Sequence, residues 1–411
     1  MTVTDAPARD EHHERDAHTH HDEQREHDEL VGRAAGLAPL LDEHARWSDE
    51  NRRLHDDVVA ALADGGFFRL RKPARYGGRE ISARTLVAIG AALGRGDAAA
   101  GWVTSIYTIP AWMAGVFPDH VQDEVFADPD VRICGTLSPS GHAEPVDGGF
   151  RLTGKWGFIS GALHAQWQEI IAMTPTPDGG MQPLMALVPL SDLEIVDDWH
   201  VAGLRGSGSV STAASEVFVP AERTMPLVDV LTQQYRSQAN ADSVMYRTPL
   251  MPVTAAATVG TLLGMAQGAM DVFVRRMPER SITYTEYATQ RDAPVTHLQL
   301  AEAALKTDQA EFHSFRIADV LDAKTRAGES WTLRERARSR ADVGMVSALA
   351  KDAVDVLASA SGGSSLYDDA AMQRINRNVQ ATNLHALIYP TTAFELYGRV
   401  LSGLDANTLY V

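Results

Sequence analysis

Residues Gly154–Trp167 read GKWGFISGALHAQW, directly after VDGGFRLT. The segment starts as a strand in which Trp156 and Phe158 alternate with Lys155 and Gly157, so the spacing predicts both aromatics on one face. Ser160 continues that face, and the Ser-Gly pair then breaks the strand. So much aromatic surface beside a hydroxyl suits either the core of a sheet, with Ser160 in a turn, or the flat wall of a binding site. Around it lie VRICGTLSPSG, EIIAMTPT, PLMALVPL and ASEVFVP, short β-rich runs punctuated by Gly, Pro and Asp. Together they predict a small antiparallel β domain over 131–225.

Outward from that domain the texture is helical on both sides. Over 30–130, Leu30, Leu37 and Leu41, then Leu54, Val58 and Leu62, mark two amphipathic stripes, with Ser48 as N-cap of the second and Gly65-Gly66 ending it. Helical periodicity returns over 226–411, where Gly260, Gly264 and Gly268 fall four apart and prepare one helix face for close approach by another. The uncharged stretches Ala98 to Pro118 and Thr248 to Met270 are long enough to suggest membrane spans. Pro110 interrupts the first and is expected to kink it, two prolines and four threonines interrupt the second, and neither has the Lys/Arg asymmetry of a span. Both read as buried helices, and no membrane is expected.

The 411 residues carry a net charge of −17, of which −7 lies in residues 1–29, where ten acidic residues face three arginines. A body left at −10 is a poor match for nucleic acid, which needs basic patches. Residues 1–29 lack apolar periodicity and read as a disordered, acidic, His-rich tail. A metal reading of it would use His18, His20 and His21, but a solvated tail is the preferred reading, so no metal is expected. Cys134 is the single cysteine, which excludes an intrachain disulfide and fits a cytoplasmic protein. GLRGSGS lacks the spacing of a dinucleotide fingerprint, and neither a nucleophile elbow nor a P-loop is present.

At three places the chain resembles the acyl-CoA dehydrogenase superfamily. Within it, the likeness is to the oxygenase component of two-component (group D) flavin-dependent monooxygenases. GGFRLTGKWGFISGALHAQW, GLRGSGSVSTAASEVFVPAER and ASGGSSLYDDAAMQRINRNVQATNLH are similar to that branch's signatures, in the same order. The resemblance implies a mainly α fold with a central β domain: a helical N-terminal domain, a middle antiparallel β-barrel or sandwich, and a C-terminal four-helix bundle. One departure separates the chain from the dehydrogenases. Their catalytic glutamate would fall near His385-Ala386 or in PLMPVTAAATVGTLLGMAQG, and neither place holds an acid.

The resemblance also implies a site. It puts Ser160 near flavin N5, Trp156 and Phe158 against the ring, and Thr136 and Ser138 at its polar edge. It gives Arg280, Gly362 and Gly363 to the flavin phosphates, and His385 to acid/base work at the substrate. The second histidine of phenol-hydroxylating relatives would fall at Pro110, so Tyr107, Trp112 and Met113 become candidates for the substrate pocket. The implied activity is hydroxylation of an aromatic, indole or polyketide-type molecule by FADH2 or FMNH2 and O2, through a C4a-hydroperoxyflavin. A separate NAD(P)H:flavin reductase and a homotetramer come with it. An N-oxygenase acting on an amino sugar or amine, a dehydrogenase with a relocated base, and a non-enzymatic flavin-binding protein stay open.

Overall fold

The structure is a computed structural model that describes residues 8–411, with side chains from residue 21 onward. Six helices come first: α1 (Ala8–Gly36), α2 (Ala38–Asn51), α3 (Asp56–Asp64), α4 (Ala83–Gly96), α5 (Ala98–Ala114) and α6 (Asp119–Val125). Seven strands follow: β1 (Ile133–Val146), β2 (Gly149–Trp156), β3 (Trp167–Pro175), β4 (Met181–Pro189), β5 (Glu194–Val196), β6 (Ser211–Pro220) and β7 (Thr224–Pro226). After the short α7 (Leu227–Leu231) come α8 (Leu250–Arg276), α9 (Pro294–Ala327), α10 (Leu333–Ala360), α11 (Ala371–Asn383) and α12 (Pro390–Leu401).

The tail expectation needs correction. Helix α1 already begins at Ala8, and its later turns dock on the body: Glu26 pairs with Arg79 at 3.0 Å, and His27 Nδ1 meets Thr85 Oγ1 at 2.9 Å. The side chains of His18 and His20, and residues 1–7, lie outside the described residues. Ser48 sits inside α2 rather than capping α3. That cap is His55, whose ring accepts the Asp57 N–H, while Ser48 Oγ accepts the His55 N–H.

The strands form one mixed sheet in the order β5-β6-β2-β1-β3-β4-β7, and β1 runs parallel to β3. Neither a wholly antiparallel arrangement nor a closed barrel is present among the described residues, because the chain leaves β2 through the 158–164 turns and re-enters beside β1 in its own direction. The register of β1 on β3 slips between Gly135 and Pro139 and again between Pro139 and His142. Such bulges re-aim side chains at a sheet surface.

The helical parts that flank the sheet in sequence meet across α4 and α8. A Cβ added at Gly260 would lie 2.3 Å from Val87 O, one at Gly264 2.3 Å from Ala91 O, and one at Gly268 2.7 Å from Arg95 O. Only hydrogen fits there, so the two backbones touch, and Arg95 closes the seam in a bidentate pair with Asp271. Among the described residues one helical stretch is apolar and long enough to cross a membrane, Leu250–Glu279, and 94% of its most apolar window is buried in the fold. Instead of four comparable helices, the C-terminal part packs three long helices, α8–α10, with the shorter α11 and α12 against α10.

Candidate active site

A cavity of about 310 Å³ lies between the sheet and the helices. Ile106, Ile109 and Pro110 of α5, Thr254 and Thr258 of α8, and Arg340 and Val343 of α10 form its helical wall. Gly135 through Pro139 on β1, Phe158, Ser160 and Glu169 supply the sheet wall, and His385 and Tyr410 complete the rim. Because proline has no N–H, Pro110 leaves the Ile106 carbonyl without its helical donor, and both residues line the space.

Ser160, Thr136, Ser138, Phe158 and His385 all reach this cavity. Trp156 does not. Its indole is fully buried on the sheet, donating from Nε1 to Ile171 O at 2.8 Å, and a Cβ added at Gly141 would lie 2.4 Å from its ring. The alternation that put both aromatics on one face stops at Trp156, the last residue of β2. Phe158 takes a left-handed φ of 62° and is 75% exposed, with its ring edge-on to Trp199. Tyr107, Trp112 and Met113 are also buried away from the cavity. The Tyr107 hydroxyl donates to Gly161 O at 2.5 Å and Trp112 Nε1 to Met245 O at 3.2 Å. The face of α5 that lines the cavity is instead Ile106, Ile109 and Pro110, one turn apart.

Behind Ser160 runs a relay of hydroxyls whose direction follows from counting protons. Ser207 Oγ donates to Leu204 O at 2.7 Å, and that carbonyl can only accept. Ser207 therefore has no proton left for Ser209, so Ser209 donates across their 2.7 Å contact. Ser209 is then spent, and Ser160 donates across the next contact of 2.8 Å. Trp102 Nε1 donates to Ser160 Oγ at 3.0 Å. Ser160, 6% exposed, is left with one lone pair and no proton, so it faces the cavity as an acceptor only. Reversing the relay would leave Ser207 and Leu204 O with their lone pairs opposed. Trp102, Ser207 and Ser209 were not singled out from sequence: Trp102 lies in an apolar helix that looks like plain core, and the two serines sit in a quoted signature with no role attached.

The same Trp102 ring stands edge-on to His385, 5.4 Å away. His385 lies not on a helix but in the link between α11 and α12, where Leu387 N–H donates to its Nδ1 at 3.3 Å. Burial, assisted by the nearby Arg340, pulls its pKa down to about 4, so the ring is neutral at pH 7 and carries its proton on Nε2. As built, it offers an N–H rather than a free base. Glu169 is the one acid lining the cavity among the described residues, and burial raises its pKa well above the carboxylate range. Burial thus favours its uncharged form.

Arg280, Gly362 and Gly363 gather elsewhere, outside the cavity. Arg280 donates to Ser364 Oγ, Arg276 approaches the same oxygen at 3.4 Å, and Gly362 takes φ 67° beside Arg280. That corner offers two guanidinium groups and open backbone to an anion. Away from both places, His44, His55 and Asp57 come together, though their sequence spacing gave no metal motif. His55 Nδ1 already accepts the Asp57 N–H and its ring stacks on His44 at 4.0 Å, so this trio reads as a helix cap.

A reduced flavin fits the cavity on three observations: the acceptor-only Ser160, the hydroxyls of Thr136 and Ser138, and the exposed ring of Phe158. Comparison with known proteins gives the family. Residues 21–117 match the family described as acyl-CoA dehydrogenase, N-terminal domain, and residues 256–390 match acyl-CoA dehydrogenase, C-terminal domain. A pigment production hydroxylase of Rhodococcus sp. is 32% identical over 92% of this chain and 97% of its own length. The oxygenase component of an FADH2-dependent resorcinol hydroxylase of Rhizobium sp. is 30% identical over 93% and 96%. The solved structure of XiaF from Streptomyces sp., in complex with FADH2 and glycerol, superposes with a TM-score of 0.89 at 29% identity, covering 95% of this chain and 99% of that one.

Proposed function

The chain belongs to the acyl-CoA dehydrogenase superfamily, in the branch of flavin-dependent monooxygenase oxygenase components, and from that premise we propose that it hydroxylates a small aromatic, indole or polyketide-type molecule with externally supplied FADH2 or FMNH2 and O2. The observation that carries this reading is the direction of the relay behind Ser160. Reduced flavin bears a proton on N5 and oxidised flavin bears a lone pair there. An acceptor-only serine matches the first and opposes the second.

When bound, reduced flavin supplies the electrons that activate dioxygen. The protein's part is to hold and shield it. Ser160 accepts from N5–H, Thr136 and Ser138 meet the polar edge of the ring, and Phe158 covers a face. His385 donates from Nε2 to orient the reacting oxygen or the substrate, in place of the acid/base work that the family resemblance implies. The apolar wall of Ile106, Ile109 and Val343 excludes water, which strengthens each of these polar contacts. Arg280, with Arg276, Gly362 and Gly363, serves the flavin phosphates.

A separate NAD(P)H:flavin reductase regenerates the cofactor, since no dinucleotide fingerprint is present in the sequence. Leu298, Leu305 and Phe312, spaced by seven on α9 and each more than 60% exposed, support assembly through that helix into a homotetramer. The unpaired Cys134 supports action in the cytoplasm.

Anaerobic titration with reduced and oxidised flavin tests the reading. Reduced flavin should bind more tightly. Ser209→Ala frees the Ser160 proton to turn outward, so oxidised flavin gains and the preference shrinks about three- to tenfold, the worth of one neutral hydrogen bond. Equal binding of both redox forms to the unaltered protein would remove the reading.

A further inference from the structure

Arg340 is out of place in an apolar cavity. It lies on α10, is 6% exposed, and lines the space beside His385 and Val343. Its Nη1 donates to Tyr410 O at 2.7 Å, but its Nε is buried with no hydrogen-bond partner. Among the described residues it forms no ion pair. Two residues earlier on the same helix, Arg338 shows the ordinary arrangement, paired with Asp342 at 2.9 Å. A cation taken out of water with neither counter-ion nor a full set of acceptors is strongly disfavoured unless something else compensates it.

Glu169 does not compensate it. The two groups form no ion pair, Oε1 is itself buried without a partner, and burial favours the uncharged carboxyl. One cavity therefore holds a guanidinium and a carboxyl group, each with unmet hydrogen-bonding capacity, among aliphatic side chains. The hydroxyls suited to a flavin edge lie on the sheet, whereas Arg340 comes from the helical wall, near His385 of the rim.

We infer that Arg340 anchors an anionic oxygen of the substrate, with Glu169 available to hydrogen-bond a second polar group, so that the substrate is a flat aryl compound bearing a carboxylate or an ionised phenol. The inference rests on the monooxygenase reading of the cavity.

The test uses protein loaded anaerobically with reduced flavin, and a parallel flavin-free sample. The probes are benzoate, its neutral counterpart benzamide, and 4-nitrophenol, whose colour reports ionisation. Benzoate should bind about ten- to a hundredfold more tightly than benzamide, as expected for a hydrogen bond to a charged group. Alternatively, 4-nitrophenol should bind as its yellow anion at the pH where the free probe is half ionised. The first result identifies a carboxylate substrate, the second a phenolic one.

Arg340→Met should erase whichever preference is seen, and Arg340→Lys should keep part of it. If the methionine variant does not fold, the unaltered protein and the lysine variant decide the matter. Absence of both preferences, or their survival in Arg340→Met, overturns the inference. So does an Arg340→Met that loses reduced flavin while probe binding is unchanged, which would give the cation to the cofactor. Failure of the unaltered protein to bind reduced flavin strikes the monooxygenase reading instead, and the flavin-free sample still measures the anion preference.

Discussion

Two polar constructions share one cavity and follow opposite rules. Behind Ser160 every hydroxyl and N–H is matched, from Trp102 through Ser209 and Ser207 to Leu204 O. Around Arg340 and Glu169 the matching is left undone. A satisfied network holds one orientation and suits a partner that is the same in every turnover. An unsatisfied pair waits for a partner that completes it, and so belongs where the substrate varies between relatives. On the functions proposed above, the first is the cofactor's side of the cavity and the second the substrate's.

The largest test of this contrast is Ser160→Ala. It strands the Trp102 N–H in the core and removes an acceptor from the cavity. Unfolding free energy should fall by about 1–3 kcal/mol, and reduced-flavin affinity by about tenfold, measured by urea unfolding and anaerobic titration. A variant unchanged in both would show the relay to be idle. The anion probes applied to Arg340→Met address the other half of the comparison.

A smaller effect separates the two aromatics that sequence alternation had paired. Phe158→Ala should weaken reduced flavin about three- to tenfold with little change in stability, as for the loss of one stacking ring. Trp156→Phe should do the reverse, lowering stability by about 1 kcal/mol through the lost bond to Ile171 O and leaving flavin binding alone. If both variants weaken flavin equally, Trp156 belongs to the site after all.

The smallest effect is on pH dependence. Burial depresses His385 and His164 to about 4, against 6.5 for the free side chain. Between these values the unfolded chain binds more protons than the folded one, so stability is fully present above pH 6.5 and is lost as the pH falls toward 4. At about pH 5.5 each histidine should withdraw roughly 1 kcal/mol. Thermal melts across that range should show a shallower decline for His385→Asn, and an unaltered slope would mean that the ring is not held neutral.

How much of this was legible in sequence depended on whether the signal was local. The glycines of α8 sit at a helical period, so their use as a contact face could be read directly, as could the helix–sheet–helix order. Ser160 and His385 were marked by signatures and both reach the cavity. The shared face expected for Trp156 and Phe158 does not form, because alternation assumes a strand that continues and the left-handed φ at Phe158 ends it. Tyr107, Trp112 and Met113 were misjudged by helix phase, which an all-apolar helix does not reveal. Arg340 and Glu169 carry no local mark: a charged residue on a helix or strand looks solvent-facing until the fold turns it inward.

The seam between α4 and α8 has a mechanical consequence. With no side chains between the two backbones at Gly260, Gly264 and Gly268, there is nothing there to slide or re-pack, and the first and last thirds of the chain act as a single girder. The sheet hangs from that girder as an inserted panel. Across the cavity, Tyr410 ties the panel to the girder: its hydroxyl donates to Leu137 O at 2.6 Å and its carbonyl accepts from Arg340 Nη1 at 2.7 Å.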